Sequence, residues 1–271
     1  MVEPAIPSEA AASPIIRLDD VHKAFGRLKV LDGVSLDLKE GETTVIIGPS
    51  GTGKSVLLKH IVGLIRPDRG SVHFREWRID RLNEAQFVQV RRQIGMLFQM
   101  GALFDSMTVE QNVTFPLVEH TQMTPAQRAE RCEQVLKIVG LVGIGGKMPA
   151  DLSGGQRKRV ALARAVVLEP QVVLYDEPTT GLDPIRADLI NELIKSLAHR
   201  QRITSVVVTH DMASATKIAD RVVMLYDGRV VEDATPQAFM QSTNDLVQRF
   251  IHGRADQGDL ELIRSGLNHG A

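Results

Sequence analysis

The chain has 271 residues, 43% hydrophobic and 24% charged, with a formal net charge of −1. That balance supports a folded chain with a buried core and argues against a nucleic-acid binder working through bulk positive charge. No run of eighteen or more apolar residues is present to cross a bilayer as a helix, and the single cysteine, Cys132, has no partner for an internal disulfide. Cys132 reads as a small apolar side chain in a helical segment.

Residues 1–14, "MVEPAIPSEAAASP", carry neither a basic start nor an apolar core, so they read as a flexible leader rather than a secretion signal, and the chain is expected in the cytoplasm. From Ile15 to Leu38 the alternations "IIRL" and "VSLDL" suggest antiparallel strands. "ETTVIIG" is a β-branched run that ends in the glycine-rich "GPSGTGKS", Gly48 to Ser55, and "KSVLLKHIVGLI" after it reads as a buried helix stopped near Pro67.

From about Gln99 to Leu168 helical signals replace strand signals. Thr124-Pro125-Ala126-Gln127 is a capping box, followed at helical spacing by Ala129, Cys132, Val135, Leu136 and Val139, with Gly140 as a stop. A further helix begins at "SGGQRKRVALARAVV". Strands buried on both faces return at Val172–Asp176 and Ile203–His210. Between them Asp183 caps a helix from Pro184 to about Arg200, with Ile185, Leu189, Leu193 and Leu197 as its apolar stripe. "RVVMLYDGRVVEDA" reads as a hairpin turning at Asp227-Gly228. The sum is an α/β core, an inserted helical subdomain and a short helical tail.

"GPSGTGKS" satisfies G-x-x-x-x-G-K-[ST] between a strand and a helix. In that context the backbone N–H groups of Ser50, Gly51, Thr52, Gly53 and Lys54 surround a β-phosphate. Lys54 reaches the β- and γ-phosphates, and the Ser55 hydroxyl holds Mg²⁺. Gly48, Gly51 and Gly53 allow bends that a Cβ would obstruct. The next acidic pair, Asp176-Glu177, ends an apolar strand. Asp176 suits the Mg²⁺ shell, and Glu177 stands where it could polarise a water for attack on the γ-phosphate. The bland alternative is a solvated acidic pair at a strand end. His210 ends the next strand, and convergence of strand ends brings it beside the same phosphate.

A second glycine-rich helix start, "DLSGGQRKR", lies about a hundred residues later. Its basic residues Arg157, Lys158 and Arg159 read as a solvated helix face.

"GPSGTGKS", "LSGGQ", "VVLYDEP", "GLDP" and "VVVTH", in that order over about Ile15 to Ala234, resemble the nucleotide-binding subunit of ATP-binding cassette (ABC) transporters. The resemblance implies a P-loop NTPase fold of the ABC type: an antiparallel β subdomain, a RecA-like parallel-sheet core and an inserted α-helical subdomain at about 99–168. The ABC domain would span 15–240, with a C-terminal helical extension at 241–271. It implies ATP and Mg²⁺ as ligands and a head-to-tail homodimer. In that dimer Ser153, Gly154, Gly155 and Gln156 hold the γ-phosphate of the partner's ATP, and the loop Gly181-Leu182-Asp183 communicates across it.

Other positions carry over singly. Phe25, which alone reads as a core residue, matches the aromatic that stacks on adenine. Pro49 and Ser50 belong to the phosphate loop. Gln99 matches the glutamine joining the Mg²⁺ and water site to the helical subdomain. The apolar "MGALFDSMTV", Met100 to Val109, matches the region that grips an integral membrane permease; ordinary packing is the alternative there.

"KSVLLKHIVGL", "GALFDSMTVEQNVTFPL" and "EPTTGLDPIRAD" are similar to the ATPases of Mla- and Mce-type lipid transporters. That likeness implies phospholipid transport, a lipid-binding Mce-type subunit in the same complex, and a place on the cytoplasmic face of the inner membrane. Gln156 departs from the methionine of several such ATPases and is shared with importers of amino acids and other small solutes. Such an importer, or a soluble ABC ATPase of an assembly system, is the alternative. A P-loop kinase would leave "LSGGQ" without a purpose.

Overall fold

The computed structural model describes residues 14–255. The leader, except for Pro14, and residues 256–271 of the C-terminal extension lie outside them. In chain order the first elements are β1 (Pro14–Phe25), β2 (Leu28–Lys39), β3 (Thr43–Ile47), α1 (Lys54–Ile61), β4 (Arg69–Phe74) and β5 (Trp77–Arg78). Then come α2 (Glu84–Arg91), β6 (Ile94–Leu97), α3 (Val109–His120), α4 (Pro125–Ile138), α5 (Gly154–Val166) and β7 (Val172–Asp176). The last are α6 (Pro184–Gln201), β8 (Thr204–Thr209), α7 (Met212–Ile218), β9 (Arg221–Tyr226), β10 (Arg229–Ala234), α8 (Pro236–Met240) and α9 (Asp245–Ile251).

β2-β1-β4-β5 form an antiparallel sheet, and β10-β9-β3-β8-β7-β6 a second sheet that is parallel except for β10. The β-branched runs are explained by which way alternate residues point. Val45 and Ile47 of β3, Val173 and Tyr175 of β7, Val207 of β8 and Met224 of β9 join a core with α3 to α6. Their neighbours Ile46, Leu174, Val206, Val208 and Val223 join another core with α1 and the antiparallel sheet. Both faces are covered, so neither can be polar.

The helical signals hold in detail. Thr124 N donates to Gln127 Oε1 (2.8 Å) and Gln127 N to Thr124 Oγ1 (3.3 Å), closing the capping box of α4. Gly140 follows the helix with φ +68°, a left-handed stop. α3, α4 and α5 fall within 99–168 and pack on one another. At the hairpin, Asp227 (φ +46°) and Gly228 (φ +72°) both adopt the left-handed conformation that a type I′ turn requires.

Two expectations need correction. α1 stops at Val62-Gly63, not near Pro67: Leu64 N donates to Lys59 O (2.9 Å) and Gly63 N to His60 O (3.2 Å), a Schellman closure. The stripe on α6 holds only in its second half: Leu197 is buried and Leu193 packs on the core, but Ile185 is 83% exposed and Leu189 45%, with Ile190, Ile194 and Ala198 buried instead. A strict four-residue repeat advances 400° against a 360° turn and so walks off the buried face. The segment 68–98, to which no element is assigned above, contains β4, β5, α2 and β6. Among the described residues no helix is long and apolar enough to cross a membrane.

Candidate active site

The C-terminal ends of β3, β7 and β8 lie side by side, with Ile47 opposite Thr209 and Asp176 opposite Val208. Each strand therefore delivers its chemistry to one edge: the phosphate loop after β3, Asp176 and Glu177 after β7, and His210 after β8. Phe25, Ser50, Gly51, Gly53, Lys54, Ser55, Gln99, Glu177 and His210 line one cleft there, of about 390 Å³. Phe25 is 48% exposed, so it is not a core residue, and the Lys23 ammonium lies over its ring, 5.5 Å from the centroid.

Close approach requires two of the loop's glycines, while Gly51 has open space around it and takes a left-handed φ of +84°. A Cβ on Gly48, at φ +149°, would stand 2.1 Å from the Leu225 carbonyl oxygen, and one on Gly53, at φ +98°, would stand 2.7 Å from that of Val30. Thr52 Oγ1 donates to Pro49 O (2.9 Å) and narrows the loop. Lys54 Nζ donates to the carbonyls of Gly48 and Pro49, both at 2.8 Å. An ammonium has three donors, so one remains for a phosphate oxygen. Burial pulls the pKa of Lys54 below the ordinary lysine value, while the carboxylates of Glu177 and Asp176 pull it the other way. The N-terminus of α1 adds partial positive charge beneath the same spot.

Ser55, half-buried in the cleft lining, donates through Oγ to Oδ1 of the buried Asp176 at 2.7 Å. A hydroxyl and a single carboxylate are hard oxygen donors that suit a small divalent cation shared with phosphates. No cluster of three or more His, Cys, Asp or Glu that could hold a metal exists among the described residues. The donor set therefore fits Mg²⁺ and not a dedicated protein cage.

Glu177 occupies the left-handed region at φ +50°, which costs a non-glycine residue about 1–3 kcal/mol. Its backbone N–H donates to Val208 O (2.9 Å), which keeps it on the neighbouring strand. The carboxylate is held from two sides. His210 Nδ1 is 3.0 Å from Oε1 and 2.9 Å from Oε2, and Thr180 Oγ1 donates to Oε2 at 3.0 Å. Because a carboxylate only accepts, Nδ1 carries the proton. Thr180 gave no signal in the sequence; its role depends on the bend at Glu177.

The family signature lies elsewhere. Ser153, Gly155 and Gln156 line a separate small depression with Arg186 and Leu189, and none of residues 153–156 borders the phosphate cleft. Ser153 N donates to Gln156 Oε1 (2.9 Å) and Gln156 N faces Ser153 Oγ at 3.4 Å, so the two cap α5. Gly154 is half-buried, and Gly155 is buried, with the Arg186 side chain 3.4 Å from where its Cβ would stand. Asp183 caps α6 through Arg186 N (3.0 Å) and does not line the phosphate cleft either.

The basic run after the signature is not a solvated face. Lys158 is 7% exposed, and Arg159 Nη1 donates to the carbonyls of Val139 and Gly140, both at 3.1 Å. Only Arg157 is exposed, and even its Nη1 reaches Leu152 O at 2.7 Å. α5 packs against α3, α4, α6 and the edge strand β6, so charges on its inner side meet backbone carbonyls instead of water.

Beyond Gln99, Met100 is 87% exposed, and Phe104 meets Phe115 at 4.9 Å between centroids. Buried Asn112 shapes this loop: its Nδ2 donates to the carbonyls of Phe104, Met107 and Thr108, and its Oδ1 accepts from Phe104 N. The loop is thus an ordered apolar surface.

The sequence pattern of the ABC transporter family matches residues 31–180, more than half the chain. The chain belongs to the ABC transporter family. It is an ABC ATPase, and its two glycine-rich helix starts are that family's phosphate loop and signature.

Among curated relatives, the ABC ATPase is 41% identical over 259 residues to the chloroplastic protein Trigalactosyldiacylglycerol 3 of Arabidopsis thaliana, covering 89% of this chain and 74% of that one. It is 38% identical over 248 residues to the intermembrane phospholipid transport system ATP-binding protein MlaF of Escherichia coli, covering 92% of each. Among solved structures it is similar to the dimeric ATP-binding cassette MJ0796 bound to ADP and Pi. There the TM-score is 0.76 and the identity 35%, over 82% of this chain and 98% of that one.

Proposed function

We propose that this chain is the ATP-hydrolysing subunit of a phospholipid transporter, working as a head-to-tail pair on the cytoplasmic face of the inner membrane. The observation that carries the lipid reading is end-to-end likeness to a phospholipid-transport ATPase, with 92% of both chains aligned. The hydrolytic reading rests on the Glu177 carboxylate, held by His210 and Thr180 in the cleft that also contains Lys54.

Phe25 offers its ring to adenine. The N–H groups of Ser50 to Lys54 receive the β-phosphate, and Lys54 spans to the γ-phosphate. Ser55 and Asp176, with Gln99, are the Mg²⁺ residues; the ion, when bound, neutralises charge on the β- and γ-phosphate oxygens. Glu177 accepts a proton from the attacking water, His210 Nδ1 fixes the direction of its carboxylate, and the exposed side of the His210 ring faces the γ-phosphate.

Ser153, Gly154, Gly155 and Gln156 of a second copy close over that phosphate, with its Asp183 loop alongside. A glycine-rich helix start that does not border its own phosphate cleft supports that assignment. ATP then favours the closed pair because only the closed pair touches it on both sides, and hydrolysis removes the shared group. The ordered apolar surface at Met100–Val109 passes the motion to a membrane permease, in a complex that includes an Mce-type lipid-binding subunit.

Affinity purification of the chain from detergent-solubilised membranes tests this reading. A multi-spanning membrane protein is expected to co-purify, with phospholipid extractable from the complex. Recovery of soluble partners alone would contradict the transport role, and a permease with a bound small solute and no lipid would contradict the cargo.

A further inference from the structure

Lys158 is a buried charge that the mechanism above does not use. Its ammonium donates to three backbone carbonyls on one short segment: Glu177 (3.1 Å), Pro178 (2.8 Å) and Thr180 (2.8 Å). All three donors of the ammonium are thereby satisfied. The arrangement carries a cost, for burial pulls the pKa of Lys158 down to about 8, with the Glu177 charge only partly opposing it. An apolar side chain of similar length would fill the space without that penalty.

The segment it clamps is the one that most needs holding. Glu177 is left-handed there, and Thr180 supplies the hydroxyl that anchors the Glu177 carboxylate. The other end of the link is equally placed. Lys158 sits on α5 just beyond Ser153 and Gln156, which cap the same helix. A shift of α5 is transmitted through three hydrogen bonds to the backbone that aims Glu177.

We propose that Lys158 is a positioning residue for hydrolysis, which ties the start of the signature helix to the arc Glu177–Thr180 and so makes the aim of Glu177 depend on how α5 is seated. The inference rests on the reading of Glu177 as the base. It gives each copy an internal path from the helix that meets the partner's nucleotide to the carboxylate that acts on its own.

The test uses the full chain and compares Lys158→Met, which donates nothing, with Lys158→Gln, whose amide retains two donors. At saturating ATP the expected kcat falls roughly tenfold to a hundredfold for Lys158→Met and by less for Lys158→Gln, with KM for ATP within about twofold of the parent. Combined with Glu177→Gln, Lys158→Met is expected to produce no further loss. A parental kcat in Lys158→Met would overturn the proposal. So would a rise in KM matching the fall in kcat, or an equal loss of turnover in the Glu177→Gln background. Should Lys158→Met fail to fold, Lys158→Gln with parental kcat overturns it as well. Rapid turnover by Glu177→Gln alone would instead overturn the base assignment, so the two readings fail by different results.

Discussion

Glu177→Gln is expected to bind ATP with near-parental affinity and to hydrolyse it about 10²–10⁴-fold more slowly. The substitution preserves shape, and the amide oxygen can still accept from Thr180 or from His210 Nδ1. Placed where Oε2 lies, it is within reach of both, but the amide cannot take a proton from water. ATP should therefore persist, and because ATP bridges the closed pair, dimers should accumulate that dissociate only slowly. Phosphate release at saturating ATP, with sedimentation of the same sample, measures both consequences. Parental turnover would move the base to another group.

Lys54→Ala is the second large effect, and it falls on binding. In the proposed site the lysine's remaining donor serves a phosphate oxygen, and hydrogen bonds to charged groups contribute about 1.5–3 kcal/mol each. One such bond places the loss at about 1.5–3 kcal/mol, roughly tenfold to a hundredfold in affinity. The helix dipole and the backbone N–H groups of the loop remain, so weak binding should survive while turnover at ordinary ATP concentrations is abolished. Equilibrium titration with a fluorescent ATP analogue reads the change directly. An affinity within a factor of a few of the parent would remove Lys54 from the phosphate site.

Where the sequence was legible, one local rule acted alone. The phosphate loop could be read because Gly48, Gly51 and Gly53 all take positive φ, which a local glycine pattern announces. The buried strands could be read because both faces of β3, β7 and β8 are covered, and capping boxes because they close within four residues.

Legibility ended where distant chain decides. Lys158 has the composition of a surface residue, and only the return of the chain at Glu177–Thr180 makes it a buried clamp. Thr180 is one hydroxyl in "TTG" until the left-handed bend at Glu177 turns it toward the carboxylate. Ile185 and Leu189 fit an apolar stripe, yet the helix presents Ile190 and Ile194 to the core and leaves the first pair outside. Such exposed side chains at the start of α6, next to the signature depression, suit a surface that a second copy covers.

The shared phosphate is the claim on which cooperation between two copies depends, and a redistribution of two mutations tests it most directly. Mixed dimers are prepared with Lys54→Ala and Ser153→Glu either in separate copies or in the same copy, and tightly bound ATP is counted per dimer. If each site joins Lys54 of one copy to Ser153 of the other, separate placement damages one site twice and leaves the second intact. One ATP is then expected per dimer, whereas placement in the same copy damages both sites and should retain none. The reverse pattern, one ATP with both changes in a single copy and none with them apart, would mean that each copy holds its nucleotide alone and would contradict the account.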